Sequence, residues 1–259
     1  MQCLEIVTNF RLSATMLIKN LALVVSLLLP VTTLGSILTP PVLPLVVRNP
    51  YLSTWLGNAR NEPWQRWPMF YNGQEIELSV LAAVQTRDYN IVGYPLLGRP
   101  HDSLRSRPEF DLAFPEYLGA QYDASTTNLS YSIPHPERKS NPVHLTLSFL
   151  SPITPSSTLR QALPATYVTV YVDGDFDISV YIDLNGQWVS GDDEAEITSQ
   201  FSQVPFDHQH VGLRTWSFRR KNELTFSEHF DRAEWGTLHF SAPAVSRKYL
   251  ASVVSQSED

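Results

Sequence analysis

Residues 167–190 read YVTVYVDGDFDISVYIDLNGQWVS, and they decide the fold class. Val168, Val170 and Val172 fall at alternate positions. After Asp173-Gly174 the alternation resumes, with Phe176, Ile178, Val180, Ile182 and Leu184 set against Asp177, Ser179, Tyr181 and Asp183. A period of two over this length puts one face of each strand in a core and the other towards solvent or a second layer. Asp173-Gly174 and Asn185-Gly186 are two-residue hairpin signals. They predict a meander of three strands, the last over residues 187–190.

The same pattern extends outward. Leu145, Leu147 and Phe149 alternate with His144, Thr146 and Ser148, and residues 151–157 (SPITPSS) read as a connecting loop. Further strands are expected over residues 77–84, 94–98, 213–219, 223–226 and 235–240, with a turn at Lys221-Asn222. Residues 36–50 are too proline-rich for a helix and read as extended chain. Residues 51–73 gather Tyr51, Trp55, Trp64, Trp67, Phe70 and Tyr71 in a loop or short-helix composition. The expected fold is all-β: an antiparallel, supersandwich-like β-sandwich with an irregular aromatic-rich N-terminal segment. By residue number, the sandwich region spans 108–259. The preceding segment spans 36–107.

Composition agrees. The chain has 259 residues, of which 43% are hydrophobic and 17% charged, enough apolar material for a core and too little charge for a disordered chain. A net charge of −7 without a basic run excludes nucleic acid as a partner. A single cysteine, Cys3, excludes an internal disulfide and a Cys-based zinc site.

The amino-terminal residues read as targeting signal. Lys19 precedes a short apolar run over residues 21–29 (LALVVSLLL), and small residues follow at 33–35. This is a secretory signal peptide over residues 16–35, cleaved before Ser36 and too short to anchor the chain in a membrane. The expected location is therefore extracellular, with no membrane contact after cleavage. Residues 1–15 read as an upstream-start extension. Asn128-Leu129-Ser130 is an N-glycosylation sequon, making Asn128 the candidate modified residue.

Catalytic signatures are sparse. G-x-S-x-G, S-x-x-K and Gly-rich phosphate loops are absent from the sequence. His208-Gln209-His210 has a zinc-compatible spacing but no third ligand nearby. Asp173, Asp175 and Asp177 mimic the start of a calcium loop, but Ile178 and Leu184 stand where Gly and Glu are needed. Asp192, Asp193, Glu194 and Glu196 read as a solvated acidic turn. Glu228, Asp231 and Glu234 lie close enough in sequence to raise a carboxylate pair for hydrolysis. The bland reading of these last residues is charge pairing at a sheet margin. No catalytic, cofactor or metal residue is assigned, and no cofactor is expected. The aromatics Tyr51, Trp55, Trp64 and Trp67 are the candidate interdomain or ligand surface.

Several long strings resemble the fungal secreted glutaminase A family. They are LPLVVRNPYLSTWLGN (43–58), WPMFYNGQ (67–74), YPLLGRP (94–100), LTLSFLSPITPSSTLRQALPATYVTV (145–170), DISVYIDLNGQWVSGD (177–192) and DRAEWGTLHFSAP (231–243). The resemblance covers nearly all of residues 36–243. It implies a β-sandwich followed in the full-length family by a helical barrel, and hydrolysis of L-glutamine to L-glutamate and ammonia outside the cell. It also implies that this chain is truncated before the helical-barrel region, which would be its partner, with glutamine the ligand of the full-length protein. On that reading the chain is the non-catalytic sandwich part of a secreted amidohydrolase. Two alternatives stand beside it. One is a stand-alone secreted carbohydrate-binding or glycoside-hydrolase-associated module. The other is a small hydrolase using Asp231 and Glu234.

Overall fold

The computed structural model describes residues 2–10, 40–100, 104, 107–205, 212–244 and 249–255. The expected signal segment, residues 16–35, and His208 and His210 lie outside the described residues. The first half of the chain forms β1 (Gln2–Phe10), β2 (Leu43–Asn49), β3 (Leu52–Leu56), β4 (Met69–Phe70), β5 (Leu78–Gln85), β6 (Ile91–Leu97), β7 (Phe110–Leu112) and β8 (Glu116–Tyr122). Then come β9 (Thr126–Ile133), β10 (Val143–Leu150), the single-turn helix α1 (Thr158–Ala162), β11 (Tyr167–Asp173), β12 (Ile178–Leu184) and β13 (Ile197–Val204). The chain closes with β14 (Leu213–Arg220), β15 (Glu228–His229), β16 (Arg232–Ala233), β17 (Leu238–Pro243) and β18 (Tyr249–Ser255).

Two sheets make an all-β sandwich. One has the order β18-β1-β12-β5-β6-β7, the other β11-β10-β9-β8. Pairing is antiparallel except between β6 and β7. The inward residues are those that alternation predicts: Leu78, Val80, Ala82 and Val84 on β5, Leu145, Leu147 and Phe149 on β10, and Ile178 and Val180 on β12. Leu129, Tyr131 and Ile133 of β9 complete the opposite wall, and β2 closes one side with Leu43 and Leu45. Strands on both sides of residue 107 thus share one core. Polar side chains tie the layers together. The Tyr131 hydroxyl donates to the Leu96 carbonyl at 2.6 Å, and the Tyr94 hydroxyl donates to the Pro134 carbonyl at 2.9 Å.

Both expected hairpins are absent. β11 pairs with β10, whereas β12 pairs with β5 and β1, so Asp173-Gly174 begins a crossing from one sheet to the other. Gly174 does not adopt the positive φ that a type I′ turn needs. A Cβ there would collide with Val143, and Phe176 packs edge-on against His135 at the end of the sandwich. Asn185-Gly186 likewise makes no hairpin. The Asn185 side chain accepts from the Gln187 N–H at 3.2 Å and caps a 3-10 turn, Gly186–Trp188. The Trp188 indole N–H then donates to the Glu77 carbonyl at 2.7 Å.

Three further expectations are corrected. Residues 223–226 form no strand: 225–226 are turn, and Phe226 sits at the left-handed φ of 61°, away from extended backbone. The aromatic segment 51–73 contains β3 and β4, which join β2 in a small sheet. The polar stretch 197–204, unassigned from sequence, is β13, in a third sheet ordered β13-β14-β17. That sheet buries Trp216 and Phe218, while its other face carries Thr215, Ser217, His239 and Ser241. Leu238 and Phe240 link it to the main core.

Arg48 of β2 holds the segment after β10. Its guanidinium donates to the carbonyls of Pro152, Arg160, Gln161 and Leu163, and so closes the open end of α1. Four acceptors spread around one plane suit the Arg fork and not an ammonium. Arg48→Ala should make residues 151–164 the first site of limited proteolysis, with cleavage at least tenfold faster, and Arg48→Lys should restore little of the protection. Mass spectrometry of the fragments checks this.

Candidate functional site

The segment following β14 concentrates the chain's unusual chemistry. Glu234 is 2% exposed and its carboxylate is fully engaged. Oε2 accepts from the Ser190 hydroxyl at 2.6 Å and from the Arg220 guanidinium, and Oε1 accepts from the Gly191 N–H at 2.7 Å. Arg220 also reaches Asp192 at 3.1 Å. Burial alone would raise the Glu234 carboxyl. The Ser190 hydroxyl, the Gly191 N–H and Arg220 outweigh that and hold it below its usual range. Gly191 is required here, because a Cβ would overlap the His229 carbonyl oxygen. Glu234 is thus a buried carboxylate held by three hydrogen bonds within the fold, a structural setting rather than that of an acid open to substrate.

Beside this clamp stands Arg232, 6% exposed. It donates to the Glu75 carbonyl at 3.3 Å and lies 5.7 Å over the Phe70 ring, with its Nε unpartnered. Burial pulls its guanidinium below its ordinary value, against the pull of Asp193 and Glu234.

The chain around this clamp carries a strained surface. Phe226, Phe230 and Asp231 all have left-handed backbone, at φ 61°, 50° and 62°. Such strain in non-Gly residues persists only where surroundings over-determine it. Asn72 supplies part of that, donating to the Phe230 carbonyl at 3.2 Å and to Asp231 at 3.1 Å. The result displays aromatic rings to solvent: Phe226 is 85% exposed and Phe230 58%. Phe226 and Tyr51 both pack edge-on against Trp235, and the Tyr51 hydroxyl donates to Glu228 at 2.6 Å. That hydrogen bond, then burial, raises the Tyr51 phenol. Sequence reading found Tyr51 but missed Phe226 and Phe230, since nothing local marks a left-handed phenylalanine.

The remaining aromatic candidates lie apart from that surface. Trp64 is half-buried on the sandwich core, 6.3 Å from Tyr131 and 6.4 Å from Tyr117. The half-buried Trp55 donates its indole N–H to Ser53 at 3.1 Å. Trp67 packs where a Gly98 Cβ would stand, and it borders a groove of about 640 Å³. Ile76, Leu184, Phe218 and Leu238 contribute apolar lining to that groove, and Glu75, Asp192, Asp193 and Glu196 make it acidic. Three of these acids are already paired, Glu75 with Arg66, Asp192 with Arg220 and Glu196 with Lys221. Among the described residues no three His, Cys, Asp or Glu side chains converge as a metal site.

Among the described residues there is one Ser–His hydrogen bond. The Ser217 hydroxyl lies 2.8 Å from His239 Nδ1 across β14 and β17. The pair lies exposed on the polar face of the β14-β17 ladder.

Comparison with known proteins gives the context. The family described as "Domain of unknown function (DUF5127)" matches residues 137–258. A "Probable glutaminase" of Arthroderma benhamiae is 50% identical over 212 residues, which is 81% of this chain and 24% of that protein. "Glutaminase A" of Aspergillus oryzae is 31% identical over 212 residues, 78% of this chain and 27% of that protein. The chain fits an N-terminal part of a glutaminase A-like protein. It spans about a quarter of the length of these curated glutaminase relatives. No solved structure matches it. The match to the domain of unknown function includes the clamp and the strained aromatic surface, since both fall within residues 137–258 apart from Tyr51 and Asn72.

Proposed function

We propose that this chain is the non-catalytic β-sandwich part of a longer, secreted glutaminase-like amidohydrolase. The full-length enzyme would cleave the side-chain amide of L-glutamine to give L-glutamate and ammonia. The signal-like residues 16–35 support export to the cell exterior. One observation carries the assignment to a supporting role: the best-placed carboxylate, Glu234, is consumed by the fold.

The exposed face around Tyr51, Phe226 and Phe230 is the docking surface for the remainder of such an enzyme. Three facts favour that occupant. The relatives are about four times as long as the matched region. The rings are displayed on strained backbone fixed from beneath. Glu228 and Asp231 rim the rings, which suits a basic border on the opposing part.

The purified chain should release no ammonia from L-glutamine. Exchanged for the matching region of the Arthroderma benhamiae protein, it should support glutamine hydrolysis. In that chimera the pair Phe226→Ala and Phe230→Ala should cut activity at least tenfold while the isolated chain keeps its fold by circular dichroism. Ammonia release by the isolated chain would overturn the non-catalytic role. Full activity of the double variant in an active chimera would overturn the docking surface alone.

A further inference from the structure

The outer face of the β11-β10-β9-β8 sheet has a second, independent character. It holds a shallow concavity of about 440 Å³. Cross-strand register sets Asn128, Ser148 and Thr169 in one row, with Thr146 and Tyr171 in the next. Every residue lining the concavity is uncharged, and most carry a hydroxyl or carboxamide. Tyr171 stands at its edge with 60% exposure, four positions along the same strand from Tyr167 at 59%. The Ser130 and Thr146 hydroxyls lie 3.2 Å apart and fix one margin. Asn128 Oδ1 is buried there without a hydrogen-bond partner. A buried acceptor of this kind is costly unless a ligand or water serves it.

We propose that this face seats a short, uncharged saccharide. A phosphate or carboxylate ligand would find no cation, and an apolar ligand would strand the hydroxyl row. A sugar ring satisfies both features, with its hydroxyls on Thr146, Ser148 and Thr169 and its C–H face against Tyr171. The sugar has two available sources. It can be a separate oligosaccharide, or a glycan carried by the chain itself, because Asn128 and Ser130 of the sequon share this outward face. The inference does not depend on the glutaminase reading.

The test uses the full chain made by two routes. Unglycosylated chain from bacteria is titrated with N,N′-diacetylchitobiose and with cellotetraose, followed by NMR. Chain from a yeast secretory route is examined for Asn128 occupancy and for the rate of native release by peptide N-glycosidase. Saturable binding that weakens at least tenfold in Tyr171→Ala, but not in Tyr89→Ala, supports the seat with an external sugar. A glycan on Asn128 whose release accelerates at least tenfold in Tyr171→Ala supports the seat with the chain's own sugar. An unmodified Asn128 together with no saturable binding overturns the proposal. So does binding or glycan release that Tyr171→Ala leaves unchanged.

Discussion

Glu234→Ala is expected to lower folding stability by about 2–3 kcal/mol, the usual cost of removing a buried acceptor of charge-assisted hydrogen bonds and leaving a buried N–H unpaired. The loss has three parts. Arg220 keeps its charge without its main partner, the Ser190 hydroxyl loses its acceptor, and the Gly191 N–H is left unpaired in a buried setting. Glu234→Gln retains an acceptor and should cost less than the alanine variant. Urea unfolding at neutral pH measures both. The pH dependence has a fixed sign. The folded carboxyl titrates below its ordinary 4.5, so between that value and its folded one the unfolded chain binds more protons. The Glu234 contribution is therefore complete above about pH 4.5 and is lost as pH falls through the folded value. Wild-type stability should drop across that acid window, and Glu234→Gln should remove that component of the drop.

Tyr131→Ala should cost about as much as an aromatic deletion from a core, roughly 3–5 kcal/mol. The ring is fully buried, 5.5 Å from Tyr117 and 6.3 Å from Trp64, and its hydroxyl bonds across the sandwich to the Leu96 carbonyl. Tyr131→Phe removes the hydroxyl alone and should cost about 1–2 kcal/mol by leaving that carbonyl unserved. The pair of variants separates packing from hydrogen bonding in one denaturation experiment. Alkaline pH gives a second readout. Burial, with a smaller push from Tyr117, raises the Tyr131 phenol well above 10.0, and burial raises Tyr117 to about 12. Both stay protonated in the folded chain when the unfolded chain ionises, so stability is complete below about pH 10 and declines as pH rises beyond it. Tyr131→Phe should flatten that decline.

Much of the sandwich is legible in alternation. The inward sets on β5, β10 and β12 follow directly from residues two apart, because a strand has only two faces. Connectivity is less legible. Asp-Gly and Asn-Gly favour tight hairpins only when their backbone turns left-handed, and neither Gly174 nor Gly186 does. Val143 crowds Gly174, and the cap on Gln187 claims Asn185. Polar β13 was invisible because its pattern buries little, and β14 alone supplies its hydrogen-bonded neighbour.

The candidate sites divide in the same way. Asn128 and Tyr51 are visible as a sequon and as an aromatic, and Glu234 is visible as an acid. That Glu234 is spent on Arg220, Ser190 and Gly191 follows from contacts spanning up to 44 positions, which no local pattern encodes. The sequence by itself determined the strands with clear apolar alternation, their inward faces and the glutaminase A-like resemblance, because these rest on short-range periodicity and on long unbroken strings. Only the tertiary structure decided which strands share a sheet, which carboxylate is buried, and which phenylalanines face water. Each of those depends on side chains distant in sequence competing for the same space and the same hydrogen bonds.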